Sequence, residues 1–341
     1  MPSAVLPPEL QQIAREGAKA ADRPAPPRTA TILGLGHYLP TEIVPNGHIA
    51  DRIGVDDHWI VKRTGIHSRR RAAANEGTNE LAVFAGRRAL QDAGTDPRDL
   101  DYVIVATMSP DEITPNAAPR VAHALGAERA AAFDIGAACT GFLAGLAQAA
   151  AMIEVGRARR ILLIGAEKLT RITDFKDPKT GMLFGDGAGA VVLGPTNGTG
   201  GIGQIDLRAD GGLGDTIMAT HEDPFIRMDG ISTFKIAVKR LSESTVYAVA
   251  VNGLELSDID LFVYHQANSR ILKAVGERLE LDPSKVADYI AQLGNTSAAS
   301  IPLTLSLSRE DGRLKPGMKV LLGAIGAGFT WGAGVMEWTA S

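Results

Sequence analysis

The 341-residue chain contains a single cysteine, Cys139. One thiol excludes an intramolecular disulfide framework and any zinc finger built on paired cysteines. The seven histidines are scattered and none falls into a metal-binding spacing such as HExxH, so no metal is expected. Aromatic residues make up 5% of the chain, too few for a platform on which single-stranded nucleic acid would stack. Positive charge is not in excess either. The net charge is −4 and the pI about 6.0, which leaves no overall basic footprint for nucleic acid. Long apolar runs are missing: the longest such tract, residues 130–155, is rich in Ala and Gly and interrupted by Asp134, Gln148 and Glu154. It reads as a buried strand followed by a buried helix, not as a membrane span. Residues 1–28 lack the apolar core of a signal peptide, and Glu9, Glu16 and Asp22 argue against a transit peptide, so a cytoplasmic location is expected. The Gly-rich segments 185–189 and 326–332 lack the Gly-Lys-Ser/Thr ending of a phosphate loop.

What the chain does have is core-forming material: 45% hydrophobic and 22% charged residues. The length suits about two domains of ordinary size. Residues 9–21 can form a short helix between Pro-rich ends, and the 1–28 extension as a whole is expected to behave as a poorly ordered, flexible arm. From there on the sequence repeats itself. Asp101-Tyr102-Val103-Ile104-Val105 resembles Asp260-Leu261-Phe262-Val263-Tyr264, and at the same spacing Arg160-Ile161-Leu162-Leu163-Ile164 resembles Lys319-Val320-Leu321-Leu322-Gly323. A third pair, Gly187-Ala188-Gly189 and Gly332-Ala333-Gly334, follows in order. Two similar α/β halves are implied, over 29–200 and 201–341, with near-continuous apolar strands suited to sheets covered on both faces.

Cys139 sits between a strand ending at Gly136 and a helix over residues 140–155. A thiol at a helix N-terminus meets the positive end of the helix dipole, which favours the nucleophilic thiolate. Its small neighbours Ala137, Ala138 and Gly141 leave room for a substrate. His265 directly follows an apolar strand, where ligand crevices open in α/β sheets. Asn295 lies in a run of small polar residues, 294–300, where its side chain can donate to an oxygen. The alternative for Thr296 or Ser297 is to cap the next helix. The Gly-rich turn 326–332 suits a backbone N–H placed close to a reacting carbonyl.

The segments Ala138-Cys139-Thr140-Gly141-Phe142, His265-Gln266-Ala267-Asn268, Gly294-Asn295-Thr296-Ser297 and Gly328-Phe329-Thr330-Trp331-Gly332 are spaced as in β-ketoacyl-acyl-carrier-protein synthase III, and the chain resembles that family from about Thr31 to Trp338. Residues 59–66 and 184–190 match as well. The resemblance implies a thiolase-like fold, two α/β halves in α-β-α-β-α layers, and a homodimer. It implies an acyltransferase: an acyl primer carried by CoA or by acyl carrier protein (ACP) is taken onto Cys139, then condensed with malonyl-ACP as CO₂ is lost. By the same resemblance His265 and Asn295 stabilise the enolate, and the N–H groups of Cys139 and Ala327 form the oxyanion hole. Trp59, Arg63, Ala267 and Asn268 would contact CoA or its pantetheine arm, Thr114 and Leu169 the acyl group, and Arg270, Lys235 and Arg278 the carrier protein. No cofactor beyond the CoA or ACP arm is implied. A degradative thiolase would need a second catalytic cysteine, which this chain lacks.

The chain departs from the family pattern at its substrate mouth. Pro178, flanked by Lys176 and Lys179, stands where the family stacks an Arg on adenine, and Ile231 where it has an Asn. Thr114 replaces a Phe that caps the acyl pocket from the partner subunit, which points to a larger or more polar pocket. Ala327 is the middle residue of a family Gly triplet, where the left-handed region is harder for Ala. Glu277 replaces a common Lys, and the run Arg69-Arg70-Arg71 reads as solvated surface. These departures tilt the role from fatty-acid initiation towards polyketide or other specialised lipid synthesis. Two alternatives remain: an acyltransferase acting on other acceptors, and an enzyme joining two acyl units. An Asn in place of an Asp beside the His cannot take a proton, which favours carbon–carbon bond formation over base catalysis.

Overall fold

The computed structural model describes residues 6–21, 29–196 and 200–340. The Pro-rich ends of the N-terminal extension lie outside the described residues. The chain runs α1 (Pro8–Ala20), β1 (Thr29–Tyr38), β2 (Glu42–Pro45), α2 (Gly47–Ile53), α3 (Asp57–Thr64), β3 (Ser68–Arg71), α4 (Thr78–Asp92), β4 (Tyr102–Ala106), α5 (Ala117–Leu125), β5 (Ala131–Ile135), α6 (Gly141–Glu154), β6 (Ile161–Lys168) and β7 (Asp186–Thr196). It continues with β8 (Gly201–Ala209), β9 (Ile217–Met218), β10 (Arg227–Met228), α7 (Gly230–Val251), β11 (Leu261–Tyr264), α8 (Ser269–Leu279), α9 (Ile290–Leu293), α10 (Ser300–Glu310), β12 (Lys319–Gly326) and β13 (Thr330–Glu337).

The repeat seen in the sequence is a repeat of topology. One sheet has the order β1-β7-β6-β4-β5, the other β8-β13-β12-β11. In each, a parallel pair (β4 with β6, β11 with β12) is followed by antiparallel neighbours, and the first sheet has a further parallel pair, β4 with β5. Even the connecting bonds recur. Asp101 N donates to Arg160 O at 2.9 Å, and Asp260 N to Lys319 O at 2.9 Å. The Asp101 and Asp260 carboxylates accept from Arg160 N and Lys319 N in turn. That is why each repeated strand pair begins with the same acid and base.

Five layers result. Helices α4 and α5 cover the outer face of the first sheet, α6 and α10 fill the space between the sheets, and α7 and α8 cover the second. The middle layer explains the Ala- and Gly-rich composition of α6. A Cβ on Gly145 would fall 2.5 Å from Leu163 Cδ1, so only a very small residue lets the helix sit between two sheets. Strands buried on both faces need no alternation, and β6 is apolar and buried from Ile161 to Ala166.

Two readings of the sequence are corrected here. The N-terminal segment forms an ordered helix: α1 packs along α7, with Leu10 fully buried in the second half's core and Glu9 paired to Arg278 at 2.9 Å. An apolar face that finds a partner surface outweighs the mobility usual at a terminus. The basic run is not all solvated surface either. Arg69 on β3 is 1% exposed and donates to Val44 O, Asn46 Oδ1 and Met182 O. It ties the β2–β3 hairpin to the segment before β7, and burial lowers its guanidinium to about 10.

Candidate active site

Three loops at strand or helix ends converge from the two halves. Cys139 follows β5 and opens the turn into α6. His265 follows β11, and Asn295 follows α9 and Gly294. All three line one cavity of about 610 Å³, together with Ala327 after β12. Close backbone approach makes this convergence possible. A Cβ at Gly165 on β6 would lie 2.3 Å from Ala298 O, and one at Gly326 would lie 2.8 Å from Cys139 N. The Asn295 loop is clamped further: Asn295 N donates to Leu183 O and Gly185 N to Asn295 O.

His265 is 3% exposed. Its Nδ1 lies 2.7 Å from Ser300 Oγ, and Gln266 N donates to the same oxygen at 3.2 Å. With that lone pair in use, the Ser300 hydroxyl proton is available to Nδ1, which places the ring proton on Nε2. Burial lowers the imidazole to about 3, so it is neutral at ordinary pH. Asn295 Oδ1 accepts from Ser297 N at 2.8 Å, which leaves the amide nitrogen for the cavity.

The thiol departs from the sequence expectation. Burial raises Cys139 to about 12, and the Ser297 hydroxyl offsets this only in part, while the Glu167 carboxylate raises it further. Desolvation thus outweighs the helix dipole, and the resting nucleophile is a neutral thiol. Among the described residues His265 is the one imidazole lining the cavity, and it is uncharged as well.

Ala327 is likewise corrected. The left-handed position in its turn belongs to Gly328, at φ 130°, so Ala327 carries no strain from its Cβ. Of the three non-glycine residues at positive φ among the described residues, Ala138 (φ 45°) and Ser297 (φ 46°) lie next to the thiol and in the Asn295 turn, and Glu280 (φ 51°) ends α8.

The mouth of the cavity is basic and partly apolar. Arg63, Lys179, Lys235 and Arg270 line it, with Pro178 and Ile231, the latter 73% exposed. The Arg63 guanidinium covers the Trp59 ring at 3.9 Å from its centroid. Asn268 is committed at both ends of its amide, accepting from Arg270 N and donating to Arg63 O, while Ala267 lines the wall beside it. Arg270 stacks over Phe234. Three expected positions lie elsewhere. Leu169 is fully buried one layer behind the wall, against a core that includes Met182, Leu183 and Phe184. Thr114 is exposed on the loop between β4 and α5 and does not line the cavity. Arg278 is held by Glu9 of α1 instead of facing the mouth. Sequence reasoning missed Glu167 and Ser297. The signal for the first is a lone acid at the end of an apolar strand.

Family models described as 3-oxoacyl-[acyl-carrier-protein (ACP)] synthase III match residues 133–211, and its C-terminal part matches residues 249–338. The chain is 43% identical over 309 residues to β-ketoacyl-[acyl-carrier-protein] synthase III of Geobacillus kaustophilus, covering 91% of this chain and 99% of that protein. The crystal structure of the Aquifex aeolicus 3-oxoacyl-[acyl-carrier-protein] synthase III superposes with a TM-score of 0.89 at 38% identity, covering 91% of this chain and all of that one. The priming β-ketosynthase of the R1128 polyketide pathway gives 0.89 at 35% identity, covering 94% of this chain and 99% of that one.

Proposed function

The chain belongs to the 3-oxoacyl-[acyl-carrier-protein] synthase III family, with its thiolase-like fold, and from that premise we propose how its own residues carry the family's reaction. The reaction is the decarboxylative condensation of an acyl primer with malonyl-ACP, an acyl transfer to carbon. Cys139 sulfur attacks the primer thioester and the carrier thiol leaves, giving acyl-Cys139. The thiol proton passes to the departing carrier sulfur, so the exchange is proton-neutral and His265 stays an uncharged imidazole. Malonyl-ACP then enters through the same mouth. Its carboxylate leaves as CO₂, and the remaining electron pair forms an enolate at the thioester. His265 Nε2–H and the Asn295 amide donate to the enolate oxygen. The enolate carbon bonds to the acyl carbonyl, the Cys139–acyl bond breaks, and the Cys139 thiolate takes up one proton from water. The N–H groups of Cys139 and Ala327 face the tetrahedral oxyanion.

The observation that carries this reading is the convergence of one thiol, one neutral imidazole and one oriented amide in a single cavity with a basic mouth. The basic side chains suit the phosphate of a pantetheine arm and an acidic carrier protein, with Arg270 and Lys235 at the rim. Arg278 contributes only where Glu9 releases it. Acylation comes from acyl-CoA or acyl-ACP, and the apolar Pro178 and Ile231 favour the carrier-borne primer. That choice fits priming of a polyketide or specialised lipid as well as of a fatty acid. The enzyme works in the cytoplasm as a homodimer. The open outer edge of β5 supports the dimer, because an unpaired strand edge is a template for another chain. Thr114, exposed nearby, then faces the partner's acyl group.

Intact-protein mass spectrometry tests the scheme. Acyl-CoAs and acyl-ACPs are offered to the enzyme, followed by malonyl-ACP. Acyl-Cys139 is expected to form and to discharge when malonyl-ACP is added. In Asn295→Ala the acyl-enzyme is expected to form but decarboxylation to fall on the order of 10²-fold, as for loss of one oxyanion donor. Condensation at the wild-type rate in that variant removes Asn295 from the mechanism.

A further inference from the structure

Glu167 has no step in the chemistry above, yet it is fully buried at the floor of the site. It lies near the end of β6, beside the turn that carries Asn295. A carboxyl taken out of water is costly unless its oxygens are satisfied. Here Oε2 accepts from Ser109 Oγ at 2.5 Å, Met108 N at 3.2 Å and Thr107 Oγ1 at 3.3 Å. Oε1 accepts from Ala298 N at 3.4 Å. Among the described residues no cation pairs with it, so hydrogen bonds hold it. One carboxyl thereby bridges the segment after β4, in the first half, to the Asn295 turn, in the second.

Ser297 stands at the joint. Its hydroxyl is within bonding reach of both Glu167 and Cys139, and its N–H holds Asn295 Oδ1. Its φ of 46° lies in the left-handed region, which a residue with a Cβ keeps only where its surroundings fix it. The bond from Ala298 N to Glu167 is such a fixture. Without it the turn relaxes, and the N–H that holds Asn295 Oδ1 moves with it.

We propose that Glu167 is a positioning residue for the condensation step: it braces the 297–298 turn so that the Asn295 amide presents its N–H, not its oxygen, to the malonyl thioester. The inference rests on Asn295 being an enolate donor. It assigns to Glu167 a selective effect, because acylation of Cys139 does not use Asn295. Length is decisive. An Asp is one methylene too short to reach both Ser109 and Ala298 N. A Gln spans both, with its oxygen on Ala298 N and its NH₂ towards the Ser109 hydroxyl, and gives up only the bond from Met108 N to Oε2. Burial raises the Glu167 carboxyl to about 7, so a neutral amide resembles it near that pH.

Glu167→Asp, Glu167→Gln and Ser109→Ala are compared with wild type and Asn295→Ala. Three quantities are read: thermal midpoint, Cys139 acylation rate, and decarboxylation of malonyl-ACP by the acylated enzyme. Glu167→Asp is expected to acylate within about threefold of wild type and to decarboxylate roughly tenfold more slowly, the signature of a lost transition-state interaction. Glu167→Gln is expected to recover most of that loss. Should Glu167→Asp not fold, Ser109→Ala removes the shortest bond to the carboxyl, and decarboxylation alone is expected to slow by about threefold. A variant that slows both half-reactions alike, or neither, overturns the role of Glu167. Normal decarboxylation in Asn295→Ala instead overturns the assignment of Asn295, and the two failures are read from different proteins.

Discussion

His265 is buried with Nδ1 at Ser300, and its pKa of about 3 lies below the ordinary 6.5. Catalysis and stability draw on the same fact. A neutral imidazole keeps an N–H to offer the enolate without holding a charge in the buried site. Its cost appears in acid, where the unfolded chain binds a proton that the folded one refuses. Folding stability from this residue is therefore intact above pH 6.5 and is lost as pH falls below it. Glu167, raised from 4.5 to about 7, works in the opposite sense between those values, since the folded state is then the one that holds the proton. Comparing wild type with His265→Asn cancels the Glu167 contribution. Between pH 7.5 and 5.5 the wild type is expected to lose about 1.4 kcal/mol more than the variant, one unit of pH below 6.5. Urea unfolding at the two pH values measures this, and identical losses would show that His265 is not held neutral.

At the scale of elements, α1 precedes the first strand of the duplicated core. It lies on α7 with Leu10 fully buried, and Gly17 fits where a Cβ would meet Ala250 Cβ at 2.8 Å. Its Glu9 pairs with Arg278 of α8. Leu10→Ala is expected to destabilise the protein by about 2–5 kcal/mol, as for other buried leucines. The acylation rate at Cys139 is expected to stay unchanged, because α1 does not line the cavity. Chemical denaturation beside an acylation assay checks both. A loss below about 0.5 kcal/mol would mean that the helix detaches in solution.

At the scale of the whole molecule, β5 has one sheet neighbour, β4, and an open outer edge. On the β4–α5 loop, which also bears Thr114, Ile113 is 93% exposed. A large apolar side chain at such exposure beside an open edge fits burial by a second copy. Ile113→Asp is expected to weaken self-association by at least tenfold in dissociation constant, as burying an unpaired carboxylate would cost more than 1.4 kcal/mol. Sedimentation across a concentration series reads it. An unchanged association would place the interface elsewhere.

The sequence by itself determined the duplicated α/β plan and marked Cys139, His265 and Asn295 as candidates, their proposed roles coming from the resemblance. The duplication was legible because Asp101 and Asp260 each start a strand and each bond to the strand beside it, so selection of one geometry left the same residues twice. Cys139, His265 and Asn295 were legible because each lies at a strand end or in a small-residue turn with no core role to play. Tertiary structure alone decided the rest. Whether the thiol rests as thiolate depended on how deeply the two halves enclose it, and enclosure outweighed the helix dipole. Leu169 carries no mark in the sequence that tells wall from layer behind it, and Thr114 none that keeps it out of its own chain's cavity. Arg69 looked like surface in a basic run until Val44, Asn46 and Met182 were brought around it from distant segments. The bridge at Glu167 joins residues from both halves, and contacts of that kind follow from packing, where local sequence has no say.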